Sequence, residues 1–213
     1  MILIFRGRQG SGKGTYAQML EKEFGIRQVS TGDMLREEIC KETALGKQIA
    51  EIIHAGNLVP DIMVVQMLDP YLERIGLEKG VVIDGFPRTV EQCRMFDEML
   101  EGKGLKVDLV LNFIASDEIL LKRLATRWTC SKCNKIYNTL TMPPKKPGFC
   151  DIDNASLYQR DDDKAEAIKR RFQLYDEQAK PTLEYYKGKV IEIEASGPPE
   201  QVYAEVKKVL QNL

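Results

Sequence analysis

A chain of 213 residues can bury one full hydrophobic core and has room for one or two small appended modules. With 43% hydrophobic residues, 30% charged residues and a net charge of only -1, it is ordinary for a soluble globular protein and excludes intrinsic disorder. The balance of 31 basic against 32 acidic residues argues against a dedicated nucleic-acid binder, and no apolar run approaches the roughly 18 residues of a membrane helix.

Met1-Ile2-Leu3-Ile4-Phe5 is cut short by Arg6, too early for a signal-peptide core, so a cytoplasmic protein is expected. Ile2 to Phe5 reads as a strand. A helix then runs from Lys13 to Phe24, with Ala17, Leu20 and Phe24 along one face. Arg27-Gln28-Val29 is a weaker strand. From Ser30 to about Val59 the pattern is helical only. It starts at Ser30-Thr31-Gly32-Asp33, where Ser30 can cap, and ends at Gly56-Asn57-Leu58-Val59-Pro60. Val81-Val82-Ile83 and Leu109 to Phe113 are further strands. Ser116 can cap a helix carrying Leu120, Leu121 and Leu124, with Asp117 and Glu118 in its first turn. Thr126 to Asp163 is rich in Pro, Thr, Asn, Lys and Cys. Its basic residues Arg127, Lys132, Lys135, Lys145 and Lys146 would attract an anion, or simply face solvent. Val190 to Ile193 is the last strand, and a helix opening at Pro198-Pro199 repeats Val202, Val206, Val209 and Leu210.

The clear strands are apolar in succession rather than alternating, the mark of parallel strands covered on both faces. The expected fold is α/β: a P-loop, doubly wound, mainly parallel five-stranded sheet with two inserted flaps. The core would be residues 1–29, 60–125 and 164–213, with inserts at 30–59 and 126–163. Neither insert has enough apolar residues for a core of its own.

Gly7-Arg8-Gln9-Gly10-Ser11-Gly12-Lys13-Gly14-Thr15 joins the first strand to the first helix. A phosphate needs backbone N–H donors at close range, a helix N-terminus behind them, and a lysine for the terminal charge; this segment supplies all three. The bland reading is a glycine-rich turn. Asp84 ends an apolar strand, where a carboxylate can hold nucleotide-bound Mg²⁺. In Gly85-Phe86-Pro87-Arg88, the glycine allows close backbone approach and Arg88 offers a bidentate fork to phosphate.

Five cysteines without a secretory segment do not suggest a disulfide framework. Cys40 and Cys93 stand alone. Cys130-Ser131-Lys132-Cys133 and Cys150-Asp151-Ile152-Asp153 share one spacing, so three thiolates and a carboxylate can close a tetrahedral, structural Zn²⁺ site. His54, the single histidine, is expected at the surface or in packing.

With the Asp84 to Arg88 turn and the Gly7 to Thr15 loop on the page, the sequence resembles the adenylate kinases. The resemblance extends through Ser30-Thr31-Gly32-Asp33-Met34-Leu35-Arg36, Gly56 to Pro60, Arg123 to Arg127, Tyr137-Asn138, Arg160-Asp161-Asp162 and Arg171. It implies transfer of a phosphoryl group from Mg·ATP to AMP, with residues 30–59 as an AMP flap and 126–163 as a lid. It also implies a division of residues. Gly10, Ser11, Gly12, Lys13, Gly14, Thr15, Arg123, Arg127, Ile136 and Tyr137 would bind ATP. Thr31, Arg36, Asn57, Leu58, Val59, Gly85, Phe86, Pro87, Arg88 and Gln92 would bind AMP. Arg160 and Arg171 would bridge the transferring group. Asp162 and Asp163 would orient the arginines, with a plain helix cap as the competing reading. A subset of the family carries a zinc lid, and Cys130, Cys133, Cys150 and Asp153 match it.

Three departures stand out. The family usually has a small residue and then proline where this chain has Arg8-Gln9, and an aliphatic residue at Arg6. The added guanidinium groups are expected to bear on triphosphate binding and donor preference. Pro198-Pro199 removes N–H donors from the stretch that the family uses to read adenine. Two alternatives therefore stay open: a GTP- or broad-NTP:AMP phosphotransferase, and a nucleotide-regulated nucleic-acid-binding protein that uses its zinc knuckle as a contact surface. The partners expected are free nucleotides, with no nucleic acid and no membrane. A monomer is the default, and the sequence leaves room for an oligomer.

Overall fold

The computed structural model describes residues 1–54, 59–160, 163 and 165–212. Strands and helices follow in the order β1 (Ile2–Arg6), α1 (Lys13–Phe24), β2 (Arg27–Ser30), α2 (Thr31–Cys40), α3 (Ala44–His54), α4 (Asp61–Ile75), β3 (Val81–Asp84), α5 (Val90–Glu101), β4 (Leu109–Ile114), α6 (Asp117–Ala125), β5 (Arg127–Cys130), β6 (Ile136–Asn138), β7 (Leu157–Tyr158), α7 (Ala165–Tyr185), β8 (Val190–Glu194) and α8 (Pro199–Leu210). Five strands form one sheet in the order β2-β3-β1-β4-β8. The pairings of β1 with β3, of β1 with β4 and of β2 with β3 are parallel; Phe5 lies opposite Asp84, and Ser30 opposite Asp84 on the other side. All of β1 is buried, as is β4 from Leu109 to Phe113, which is what the unbroken apolar runs require. Strand β8 at the sheet edge differs: Ile193 is buried but Ile191 faces solvent.

The chain divides into two compact units. The first comprises Met1–Arg6, Tyr16–Asn112 and Gln178–Ile191. Its core gathers Ile2, Ile4, Val29, Val81 and Ile83 from the strands with Leu68 and Leu72 of α4 and Phe96 and Leu100 of α5. Each such side chain contributes roughly 1.5–3 kcal/mol when removed from water. Met34, Ile49 and Val59 join this cluster, so the first insert borrows its burial from the unit's core. Ser30 caps α2 by accepting from the Asp33 N–H. Tyr16, Ala17 and Leu20 of α1 are buried, but Phe24, expected on the same face, is 48% exposed. It is the last residue of the helix, and Gly25 at φ +71° turns the chain away.

The second unit comprises Gly7–Thr15, Phe113–Glu177 and Glu192–Leu213. Leu120 and Leu124 of α6 pack with Ile168 and Phe172 of α7. Leu121, carried by the same helix, is exposed, because one residue along a helix rotates a side chain about 100° off the buried face. The second insert holds a three-stranded antiparallel sheet in the order β6-β5-β7. Cys130, Tyr137, Cys150 and Leu157 are buried within it, with Trp128 and Ala155 packed alongside. The expectation that this insert lacks a core is therefore corrected. Two of the four buried residues are cysteines, which pack as small hydrophobes and escape a count of aliphatic side chains. Among the described residues no helix is long and apolar enough to cross a membrane.

Candidate functional site

The second unit carries the glycine-rich loop. Gly7 has φ +139°, and a Cβ there would stand 2.5 Å from the Phe113 carbonyl oxygen, so the loop's entry is confined to glycine. Lys13 Nζ donates to the carbonyl oxygens of Gly7 at 2.6 Å and Arg8 at 2.9 Å, and to the Ser11 hydroxyl at 3.3 Å. The ammonium is thus drawn across the loop, where a phosphate oxygen can replace a carbonyl as its acceptor. Gly14 and Thr15 lie in the first turn of α1, whose unpaired N–H groups favour an anion.

Arg8 does not carry a free charge to this loop. Its Nε and Nη2 donate to the two Asp176 carboxylate oxygens at 2.9 and 2.5 Å, its Nη1 donates to Asp117, and its guanidinium lies 4.9 Å from the Phe172 ring centroid. The hydrogen bond to Asp176 raises the Arg8 pKa above its ordinary value against the cost of burial. Arg123 donates through Nη1 to the carbonyls of Ala195 (2.7 Å) and Gly10 (3.5 Å), and through Nη2 to those of Ser196 (3.3 Å) and Gly197 (3.1 Å). It therefore orders the backbone that follows β8. Arg127 pairs with Asp163 through Nε at 2.9 Å and through Nη2, and these side chains are only 14% and 3% exposed. Arg160 Nε donates to the Thr129 hydroxyl at 3.1 Å. The Tyr137 ring lies in the insert's core, its hydroxyl accepting from the Asp151 N–H at 2.7 Å, so Ile136–Tyr137 can offer a nucleotide backbone and the Ile136 side chain. Asp162 lies outside the described residues.

The first unit carries the Asp84–Arg88 turn. Gly85 has φ +81°, and a Cβ there would meet the Thr31 hydroxyl at 3.2 Å and Arg88 Nη2 at 3.5 Å. Arg88 Nε donates to the Gly85 carbonyl at 2.8 Å, and its backbone N–H donates to Gln92 Oε1 at 2.6 Å. Phe86 packs edge-on against Phe96 with centroids 5.3 Å apart. Burial, reinforced by Arg6 and Arg36 and opposed by Asp84, holds the Arg88 pKa below its ordinary value. Three guanidinium groups gather here with the carboxylates of Asp84 and Asp33, a setting that attracts an anion. Arg36 also pairs with Asp33, and Thr31 reaches the Asp84 carbonyl at 3.4 Å. Val59 is buried, whereas Asn57 and Leu58 lie outside the described residues. Asp84 offers hard carboxylate oxygen at a strand end, a donor type suited to Mg²⁺.

Two residues here escape sequence reasoning. Asp61 accepts from Thr89 Oγ1 and from Gln92 Nε2, both at 2.7 Å, and so fixes the amide of Gln92. In the sequence it reads only as an acid in a helix's first turn. Arg6 was expected to act on the triphosphate. Instead it is 5% exposed within the first unit, donating to the Pro87 carbonyl at 2.7 Å and the Thr182 hydroxyl at 2.8 Å. It holds the residue that precedes Arg88.

The four expected metal ligands come together in the second unit. Single ligand atoms of Cys130, Cys133, Cys150 and Asp153 all lie within 4.8 Å of one another. Cys133 Sγ is 3.6 Å from Cys150 Sγ, and Cys130 Sγ is 3.3 Å from Asp153 Oδ1. A tetrahedron with Zn–S bonds of about 2.3 Å has edges of roughly 3.8 Å, so the donor set fits zinc. The N–H groups of Lys132 and Cys133 point at Cys130 Sγ (3.3 and 3.4 Å), and that of Ile152 at Cys150 Sγ (3.4 Å), so each knuckle turns backbone donors toward a cysteine sulfur. An N–H bond from Ala155 leads the effects that lower the Asp153 pKa to about 2, so this ligand is ready as carboxylate.

Comparison with known proteins adds the family. A family model described as adenylate kinase matches residues 5–191. The chain is 40% identical over 215 residues to the adenylate kinase of Archaeoglobus fulgidus, covering 100% of this chain and 99% of that one. It is 41% identical over 213 residues to the adenylate kinase of Caldicellulosiruptor bescii, covering 100% and 99%. It is also 43% identical over 210 residues to adenylate kinase 4 of Oryza sativa subsp. japonica, covering 98% and 86%. Similarity of this depth, sustained from end to end, leaves one conclusion: the chain belongs to the adenylate kinase family and is a phosphotransferase, a nucleoside monophosphate kinase.

Proposed function

We propose that this chain catalyses reversible, Mg²⁺-dependent phosphoryl transfer from ATP to AMP, giving two ADP. The observation that carries the reading is the Arg88 turn, a half-buried site where the charges of Arg88, Arg6 and Arg36 exceed that of Asp84. An acceptor phosphate is an anion that this gathering of guanidinium groups suits. The glycine-rich loop with Lys13 supports a donor phosphate site in the same chain.

An α-phosphate oxygen of AMP attacks the γ-phosphorus of ATP, the bond from that phosphorus to the β,γ-bridging oxygen breaks, and ADP leaves in line. Little covalent chemistry falls to the protein, so its residues position and neutralise. Lys13 and the backbone from Gly10 to Thr15 hold the β- and γ-phosphates. Arg123, Arg127 and Ile136–Tyr137 serve the remainder of ATP, with Asp163 holding Arg127. Arg36 and Arg88 grip the AMP phosphate. Thr31, the Gly85–Pro87 backbone, Gln92 and Asn57 to Val59 read the rest of AMP. Arg160 and Arg171 meet the transferring group, and Asp162 orients them. Asp84 would hold Mg²⁺, which when bound would supply positive charge against the donor phosphates.

In this reading residues 30–59 and 126–163 are flaps over AMP and ATP, on a core of the remaining chain. Cys130, Cys133, Cys150 and Asp153 would hold Zn²⁺, which would staple the lid rather than meet substrate. The enzyme acts on free nucleotides in the cytoplasm, as a monomer by default.

One observation favours looser donor selection. After β8, the Ser196 N–H is bonded to Glu194 Oε1 at 3.0 Å, and Pro198 and Pro199 have none, so these three positions offer a base no spare N–H. Fewer backbone donors discriminate adenine from guanine less sharply, so GTP is the second reading for the phosphoryl source. Initial rates of diphosphate formation for each of ATP, GTP, CTP and UTP paired with each nucleoside monophosphate test both points. AMP should be required as acceptor; comparable turnover with other monophosphates would refute the acceptor assignment.

A further inference from the structure

We propose that Gln9 is a positioning residue for Arg171, ordering that guanidinium before the nucleotides bind. The inference deepens the functional reading above and rests on its assignment of Arg171 to the transferring phosphoryl group. With the Gln9 amide turned so that its oxygen faces the guanidinium, Arg171 Nε and Nη2 both donate to that oxygen at 3.0 Å. These two nitrogens form one edge of the guanidinium, so a single amide oxygen fixes its plane.

Gln9 can hold a partner because it is itself held. The preceding residue, Arg8, is fixed to α7 by its two bonds to Asp176 and its seat near the Phe172 ring, and to α6 by Asp117. The Arg8 carbonyl also accepts from Lys13 and from the Ser11 N–H. Arg171 and Phe172 are adjacent on α7, so Arg8 and Gln9 engage one stretch of that helix with adjacent side chains. An arginine loses rotamer entropy when its guanidinium is fixed. Gln9 takes up part of that ordering in the resting enzyme. Its chemistry also suits the task. A neutral amide orients the guanidinium without cancelling its charge, whereas a carboxylate in the same place would orient it and neutralise it.

Steady-state kinetics on Gln9→Ala, Gln9→Met and Gln9→Glu, each also made in an Arg171→Ala background, test this. Gln9→Ala and Gln9→Met remove the acceptor, the second keeping the volume. Both should lower kcat about 3- to 10-fold, with KM for ATP and AMP within about twofold of wild type and Tm nearly unchanged. Gln9→Glu should keep Tm and also lower kcat, because the charge rather than the placement is impaired. In the Arg171→Ala background all three should be nearly silent, as expected for residues acting through one another. Wild-type kcat in both Gln9→Ala and Gln9→Met, beside a depressed kcat in Arg171→Ala, overturns this proposal alone. An equal kcat loss in both backgrounds also overturns it, since Gln9 would then act elsewhere. Wild-type kcat in Arg171→Ala refutes the reading of Arg171 and this proposal with it.

Discussion

Arg88 gives the sharpest separation of function from stability. Its Nε is bonded to the Gly85 carbonyl at 2.8 Å, which aims the two Nη groups as a fork. Arg88→Lys keeps the charge but loses both the Gly85 anchor and one arm of the fork. A hydrogen bond to a charged group contributes roughly 1.5–3 kcal/mol, and 1.4 kcal/mol is about tenfold in affinity. KM for AMP should therefore rise roughly 10- to 100-fold, with KM for ATP changed less than about twofold. Stability should move the other way. Burial and the charges of Arg6 and Arg36 lower the pKa of Arg88 in the folded state, so folding disfavours its charged form. For a base this penalty is full below the folded pKa and lifts only as pH rises through it. At neutral pH the group is protonated in both states, so the whole penalty applies. Arg88→Met should hold or raise Tm while abolishing measurable AMP binding by calorimetry. A wild-type KM for AMP in Arg88→Lys, or a Tm lowered by several degrees in Arg88→Met, would refute the reasoning and reassign the turn to structure.

Lys13→Ala removes the ammonium that spans the loop, and kcat should fall by at least about a hundredfold, on the order of 3 kcal/mol, with circular dichroism unchanged; turnover above a tenth of wild type would contradict it. Cys130→Ser, or treatment with a chelator, should lower Tm by on the order of 10 °C while leaving low-temperature activity largely intact. Asp153→Ala should do so more mildly. Elemental analysis should return close to one zinc per chain, and a melting curve indifferent to chelator would dismiss the staple. Cys93 is fully buried and burial pushes its thiol up to about 12, so it should resist alkylation in the native state at pH 8 and react only on unfolding. Exposed Cys40 should label first, which peptide mapping by mass spectrometry reads directly.

Where local chemistry alone dictates the arrangement, the sequence is legible. Glycine spacing before Lys13 announces a loop around an anion, and Gly7 does sit where a Cβ would strike a carbonyl. Paired two-residue spacings announce a knuckle, and the cysteine sulfurs do collect backbone N–H groups. Unbroken apolar runs announce buried parallel strands. What escapes the sequence is destination. A long guanidinium beside the glycine loop can reach several acceptors, and Arg6 finds Pro87 and Thr182, residues far away in the chain. The same holds for Asp61, whose partners Thr89 and Gln92 are brought to it only by the packing of α4 with α5. The buried cluster of the second insert is hard to see in the sequence because its cysteines and Tyr137 carry ligating and polar groups that mask their part in packing.

The most direct test of the central claim is phosphorus NMR of the purified protein with ATP, Mg²⁺ and AMP. ATP and AMP signals should decline together while the two phosphorus signals of ADP grow with two ADP formed per ATP consumed, without inorganic phosphate, and the reaction should run backward from ADP alone. ATP loss accompanied by inorganic phosphate, with AMP untouched, would contradict the account.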